Sequence, residues 1–240
     1  IKDTIPTVNQ KETTQTCGEI QNIKFNNVSF TYPNTDVEVL KNLNFEIKKG
    51  DKIGIFGPSG IGKSTLFRLL LRFYDPNSGT ISFNHIDLKD LSFNEIYQRI
   101  GMLEQETYLF DDTIFNNIAI AKEGASLDEV KKAAEKAGIA SLIDTLPEGY
   151  NTEMGQMASR LSGGEKQRIG IARIMLACPD IIVMDEPTSA LDVFHEKELL
   201  HTLKTEYSDA TWLIISHRMS TLTCCNRLYK LENGQLVQIN

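Results

Sequence analysis

Gly57, Pro58, Ser59, Gly60, Ile61, Gly62, Lys63 and Ser64 fit the spacing G-x-x-x-x-G-K-[ST]. A run of this kind does one chemical job well: it cradles the phosphates of a nucleoside triphosphate. Its glycines allow successive amide N–H groups to converge on one anion, and a helix beginning near Lys63 adds the positive end of its dipole. Lys63 is expected to bridge the β- and γ-phosphates, Ser64 to offer a hydroxyl to Mg²⁺, and Thr65 to extend the binding run. Further along, the apolar residues Ile181, Ile182, Val183 and Met184 lead into Asp185 and Glu186. A buried parallel strand delivers the residues at its end into the ligand crevice. Asp185 there suits Mg²⁺ through a water, and Glu186 suits the orientation and deprotonation of an attacking water. His217 closes another apolar run, 213–216. As a donor to the γ-phosphate it would sense whether the triphosphate is intact. On position alone a structural role suits His217 equally well, and it is the reading for His85, His195 and His201.

These groups need a frame, and the chain supplies an α/β pattern. Residues 52–56 form an apolar strand running into the glycine loop, and 63–73 read as a helix ended at Asp75 and Pro76. Ile23, Phe25, Val28 and Phe30, then Leu43, Phe45 and Ile47, predict two half-buried strands with a period of two. More strands are expected at 79–83, 100–104, 181–184, 211–216 and 227–231, the last followed by an Asn233–Gly234 turn and a short strand. The stretch between the 100 and 181 strands is helical in character. Ser126 and Glu129 make a capping box, 139–146 is a short helix, and 163–177 is a third helix opened by a Gly-Gly turn. The expected architecture is a mixed-sheet nucleotide-binding core with an antiparallel β subdomain and an inserted α-helical subdomain at about 106–178. Residues 1–19 are polar and Thr-rich, and read as a linker to a domain covering 20–240.

The net charge of −7 argues against a general nucleic-acid binder, which would present a basic face. Apolar runs are only a handful of residues long, far short of the roughly 18–20 that a membrane span needs. The four cysteines, Cys17, Cys178, Cys224 and Cys225, have neither zinc-site nor disulfide-framework spacing. The chain begins at Ile1 without a methionine, as a segment of a longer polypeptide or a processed or trimmed chain would.

Residues 161–168, LSGGEKQR, resemble the signature sequence of ATP-binding-cassette (ABC) ATPases. The other motifs of that family occur in the expected order from about Ile20 onward. The resemblance implies a P-loop NTPase core, binding of ATP with Mg²⁺, and ATP hydrolysis. It implies that Tyr32 stacks on adenine, that Val39 flanks the base or ribose, and that Gln105 reaches Mg²⁺ and the attacking water. Asp192 matches a residue that organises the facing site. Ser162, Gly163 and Gly164 would cap the ATP of a second copy, so that two nucleotides are sandwiched head to tail. The segments 73–79, 87–91, 109–114 and 152–155 are similar to those of exporter-type domains, with Gln156 where a second glutamate is usual. The implied partners are a second nucleotide-binding domain and a transmembrane domain, with the chain at the cytoplasmic face of a membrane and no nucleic acid bound. The runner-up is a soluble ABC ATPase acting on ribosomes or DNA, although the long coiled coil, zinc module or second cassette usual there is not in this sequence. Having both Glu186 and His217 argues against a cassette that binds ATP without cleaving it.

Overall fold

Alternation of polar and apolar residues builds the first sheet. The computed structural model describes residues 8–11, 15–155, 161–189 and 193–239. They fall into two units, Ile1–Ile100 with Asp209–Asn240, and Gly101–Ser208. In the first unit β1 (Asn22–Thr31) pairs antiparallel with β2 (Glu38–Lys48), setting Phe25 opposite Phe45 and Val28 opposite Leu43. A strict period of two does not hold along β1. Its register shifts between Phe25 and Val28, where Asn27 takes a left-handed φ of 48°. The bulge absorbs one residue, so Ile23, Phe25, Val28 and Phe30 all stay buried despite the three-residue step. With β4 (Ser78–Phe83) and β5 (Ile86–Asp87) the sheet order is β2-β1-β4-β5.

The second sheet of this unit carries the glycine loop. β3 (Lys52–Phe56) runs parallel to β8 (Thr211–Ile215) and β9 (Arg227–Glu232), and β10 (Gln235–Gln238) folds back antiparallel on β9. Continuous apolar runs suit a parallel sheet covered on both faces. Ile53, Ile55, Trp212, Ile214 and Ile215 are fully buried accordingly, each side chain contributing about 1.5–3 kcal/mol by leaving water. A Cβ at Gly54 would stand 2.7 Å from Leu228 Cδ2 and 3.1 Å from Leu222 Cδ2, so a side chain there would push both leucine tips aside.

α1 (Lys63–Leu70) is shorter than the 63–73 expected from sequence. The chain leaves the helix at Arg72, whose φ of 54° is left-handed, before Asp75 and Pro76 are reached. The Arg72 side chain explains why this turn is held. Nearly buried, it donates to Asp75 Oδ1 at 3.2 Å, to the Leu91 carbonyl at 3.3 Å and to the Asn9 carbonyl at 3.0 Å. α2 (Phe93–Arg99), capped by Ser92, and the short α8 (Met219–Leu222) are further α-helices of this unit among the described residues. Described parts of the N-terminal segment lie along it: Phe93 N donates to Gln10 Oε1 at 3.1 Å and Gln15 N to the Asp90 carbonyl at 2.8 Å.

In the second unit β6 (Ile100–Leu103) neighbours β7 (Ile181–Asp185), accompanied among the described residues by five α-helices. These are α3 (Ile114–Ala119), α4 (Leu127–Lys136), α5 (Ala140–Asp144), α6 (Gly163–Ala177) and α7 (Val193–Glu206). The mixed sheets, the antiparallel β portion and the helices together match the α/β class expected from sequence. Helix starts here follow side-chain chemistry. Thr113 caps α3, and Ser126 with Glu129 forms the expected capping box on α4.

Glu129 also meets Lys122 at 2.5 Å, and the Lys122 and Ser126 hydrogen bonds pull its pKa from 4.5 down to about 2. A depressed folded-state pKa means the cap stabilises α4 fully above about pH 4.5 and loses that contribution as pH falls toward 2. A carboxyl NMR titration is expected to place the Glu129 midpoint near 2, and Lys122→Ala is expected to raise it. An unchanged midpoint in that variant would remove Lys122 as the principal cause.

Candidate functional site

The phosphate loop follows β3 directly. Gly62 is the N-cap of α1 with φ 111°, a left-handed conformation, and a Cβ there would collide with Val39 Cγ1. Glycine is therefore required twice over, by the backbone and by the approach of Val39. Ser92, Thr113, Ser126 and Ser162 each place a side-chain oxygen on the first turn of α2, α3, α4 and α6. α1 has no side-chain cap and no acidic residue in its first turn. Thr65 N donates back to the Gly62 carbonyl at 3.1 Å, and the lack of a side-chain cap leaves the start of α1 open to an anion, which the helix dipole also favours. Lys63 is only 7% exposed, and its Nζ donates to the carbonyls of Gly57 at 2.7 Å and Pro58 at 2.9 Å. The ammonium is held against the loop instead of extending into solvent. Pro58, Ser59 and Gly60 are exposed, Ile61 and Ser64 are half-buried, and Thr65 is buried.

Tyr32, half-exposed, stands one residue past β1. Its ring meets Phe30 and Tyr74 edge-to-face at 4.9 and 5.3 Å, and its hydroxyl lies 2.9 Å from Thr65 Oγ1. His217 reaches the same sheet edge as the loop. Ile55 and Ile215 are register partners in the parallel pair, and Ser216 N donates to the Ile55 carbonyl at 3.1 Å. His217 and Gly57, each two residues past those partners, therefore leave the sheet side by side, with His217 exposed.

In the second unit, Asp185 ends β7 and Glu186 follows it with φ 49°. Left-handed backbone costs a residue with a Cβ roughly 1–2 kcal/mol, and such outliers gather at functional sites. The turn is closed by Ser189 N donating to the Glu186 carbonyl at 3.1 Å. Gln105 is exposed, two residues past β6. Asp192 lies outside the described residues, as does Gln156.

Ser162 caps α6, but more tightly than a Gly-Gly turn would. Its backbone N and its hydroxyl both donate to Glu165 Oε2, at 2.7 and 2.9 Å, and its Oγ accepts from Glu165 N at 3.3 Å. The serine hydroxyl expected to face a phosphate is here bonded to its own helix. Gly163 is exposed and Gly164 half-buried at the start of that helix. Further down α6, buried Gln167 donates from Nε2 to the Pro187 carbonyl, joining the helix to the segment after Glu186. Its Oε1 has no partner among the described residues. Glu165 and Gln167 are not picked out by the sequence reading. The first had a signal, since S-G-G-E is itself a capping-box pattern.

The profile of a family described as ABC transporter matches residues 40–189. The chain belongs to the ABC transporter family. A "Probable ABC transporter ATP-binding/permease protein" of Haemophilus influenzae is 41% identical over 91% of this chain and 39% of its own length. An "ATM1-type heavy metal exporter" of Novosphingobium aromaticivorans is 43% identical over 90% of this chain and 35% of its own. Among solved structures, a bacterial Atm1-family ABC exporter with ATP bound is 40% identical and superimposes with a TM-score of 0.89, over 98% of this chain and 41% of that one. The ABC family member described here thus spans well under half the length of these relatives. None of its helices, among the described residues, is long and apolar enough to cross a membrane.

Proposed function

We propose that this chain is the ATP-binding and ATP-hydrolysing domain that powers an ABC exporter, working by ATP-driven head-to-tail dimerisation and moving a substrate across a membrane. The observation that carries the proposal is the glycine-shaped, uncapped start of α1 with Lys63 buried against its loop. That is an anion site without an anionic side chain of its own. The relative solved with ATP bound and the relatives named as ATP-binding/permease proteins and exporters support the same reading, and favour it over a soluble ATPase acting on ribosomes or DNA.

In this reading Gly57, Pro58, Ser59, Gly60, Ile61, Gly62, Lys63, Ser64 and Thr65 hold the phosphates, Tyr32 stacks on adenine and Val39 flanks the base or ribose. Glu186 orients and deprotonates water, His217 donates to the γ-phosphate, and Ser162, Gly163, Gly164 and Asp192 act on the nucleotide of a second copy. Ser64, Gln105 and Asp185 would hold Mg²⁺, which supplies charge neutralisation at the phosphates when bound. Among the described residues no three His, Cys, Asp or Glu cluster to cage a metal. The remaining partner is a transmembrane domain, with this chain peripheral at the cytoplasmic face. Phe110 and Ile120, both exposed, line a groove of about 570 Å³ in the second unit that offers such a partner apolar surface.

Purified chain is expected to release phosphate from ATP in the presence of Mg²⁺ and to stop when the cation is chelated. Equal rates with and without chelator, by a phosphate-release assay, would rule out the Mg²⁺-dependent hydrolase.

A further inference from the structure

Stacking uses the ring of Tyr32 and leaves its hydroxyl unexplained. Three side chains of the first unit meet at that oxygen. Arg68 Nη1 donates to Tyr32 Oη at 3.1 Å, Tyr32 Oη stands 2.9 Å from Thr65 Oγ1, and the Arg68 guanidinium carbon is 5.7 Å from the Tyr32 ring centre. Thr65 and Arg68 both belong to α1 and are three residues apart, which sets them on one helix face. Tyr32 lies one residue beyond the end of β1, where its carbonyl accepts from Thr35 N at 3.2 Å and Thr35 Oγ1 at 3.0 Å, bonds that hold the backbone and not the ring.

The chemistry of these groups fixes the direction of the outer bond. A guanidinium only donates, so Tyr32 Oη accepts from Arg68. The Tyr32 and Thr65 hydroxyls share the inner bond, in which either oxygen can donate. The inner end of this chain is dry, with Thr65 3% exposed, while Arg68 is exposed at the outer end. A charged donor makes the stronger kind of hydrogen bond, so the anchor at the exposed end is the one suited to hold in water.

We propose that Arg68 is a positioning residue for nucleotide binding. Through the ordered chain Arg68–Tyr32–Thr65 it locks the Tyr32 ring in place before the nucleotide arrives, given the proposed stacking of that ring on adenine. A ring already fixed spares the ligand the ordering of a side chain, an effect of roughly twofold to tenfold in affinity. The effect acts on the base and not on the phosphates, and this is what separates positioning from a general structural role.

The test is calorimetric titration of the full 240-residue chain with Mg²⁺–ATP and, separately, with inorganic tripolyphosphate. Arg68→Met and Tyr32→Phe are each expected to weaken ATP binding about threefold to tenfold and to leave tripolyphosphate affinity unchanged. The double variant should lose no more than the worse single one, because both break the same chain. Arg68→Lys, still a donor, should retain most of the affinity. Equal weakening toward both ligands, or additive losses in the double variant, would overturn the proposal. If Tyr32→Ala weakens ATP relative to tripolyphosphate while Arg68→Met and Tyr32→Phe bind as wild type, the positioning role falls and stacking stands. If Tyr32→Ala leaves that ratio unchanged, stacking falls and takes the positioning role with it.

Discussion

Glu186→Gln is expected to slow ATP turnover by about a hundredfold to ten-thousandfold while leaving ATP binding intact. The substitution keeps the size of the side chain and asks nothing new of the backbone, which already holds Glu186 at φ 49° just past the end of β7. It removes only the capacity to take a proton from water. With hydrolysis blocked, the nucleotide that joins two copies is no longer consumed, so the variant should accumulate as an ATP-bound dimer. Light scattering with Mg²⁺–ATP reads this directly. A particle of monomer mass at saturating ATP would count against the sandwich, and full turnover in the variant would count against Glu186 as the base.

Lys63→Ala should have the second largest effect, a loss of about tenfold to a hundredfold in ATP affinity, from the removal of a charge-assisted hydrogen bond to phosphate. The side chain is buried and its ammonium spans the Gly57 and Pro58 carbonyls, so part of any effect could come from the loop itself. Thermal unfolding without nucleotide separates the two. A variant that melts with the wild type yet binds ATP weakly assigns the loss to phosphate contact. Unchanged affinity would remove Lys63 from that role.

The core strands are legible in the sequence because a covered parallel strand is a short unbroken apolar run. Residues 52–56, 181–184 and 211–216 announce themselves in this way, and each run ends beside a residue that can do chemistry. Other elements are hidden for physical reasons. α2 and α3 have seven and six residues, too few to repeat a helical period twice. α7 is also missing from the sequence reading, though buried Leu199, Leu200 and Leu203 carry the spacing that identifies it. The bulge at Asn27 depends on strand register, and the early end of α1 depends on Arg72 finding acceptors at Asn9, Asp75 and Leu91. The phosphate loop and the Asp185–Glu186 pair are legible from spacing, whereas Tyr32, Val39, Gln105, Asp192 and residues 162–164 rest on resemblance to the family. The Arg68–Tyr32 contact spans 36 residues and could only come from the fold.

The bare start of α1 has a consequence for how much of this protein survives unfolding and degradation. α2, α3, α4 and α6 carry their own serine or threonine caps, whereas α1, like the shorter α5 and α8, has none and alone of these three follows the glycine loop. A ligand that binds only the native state shifts the folding equilibrium in proportion to the logarithm of its concentration. The nucleotide is then a conditional piece of the fold as well as a fuel. A sample depleted of it should hold a less durable protein, and preparation, storage and half-life become matters of nucleotide supply.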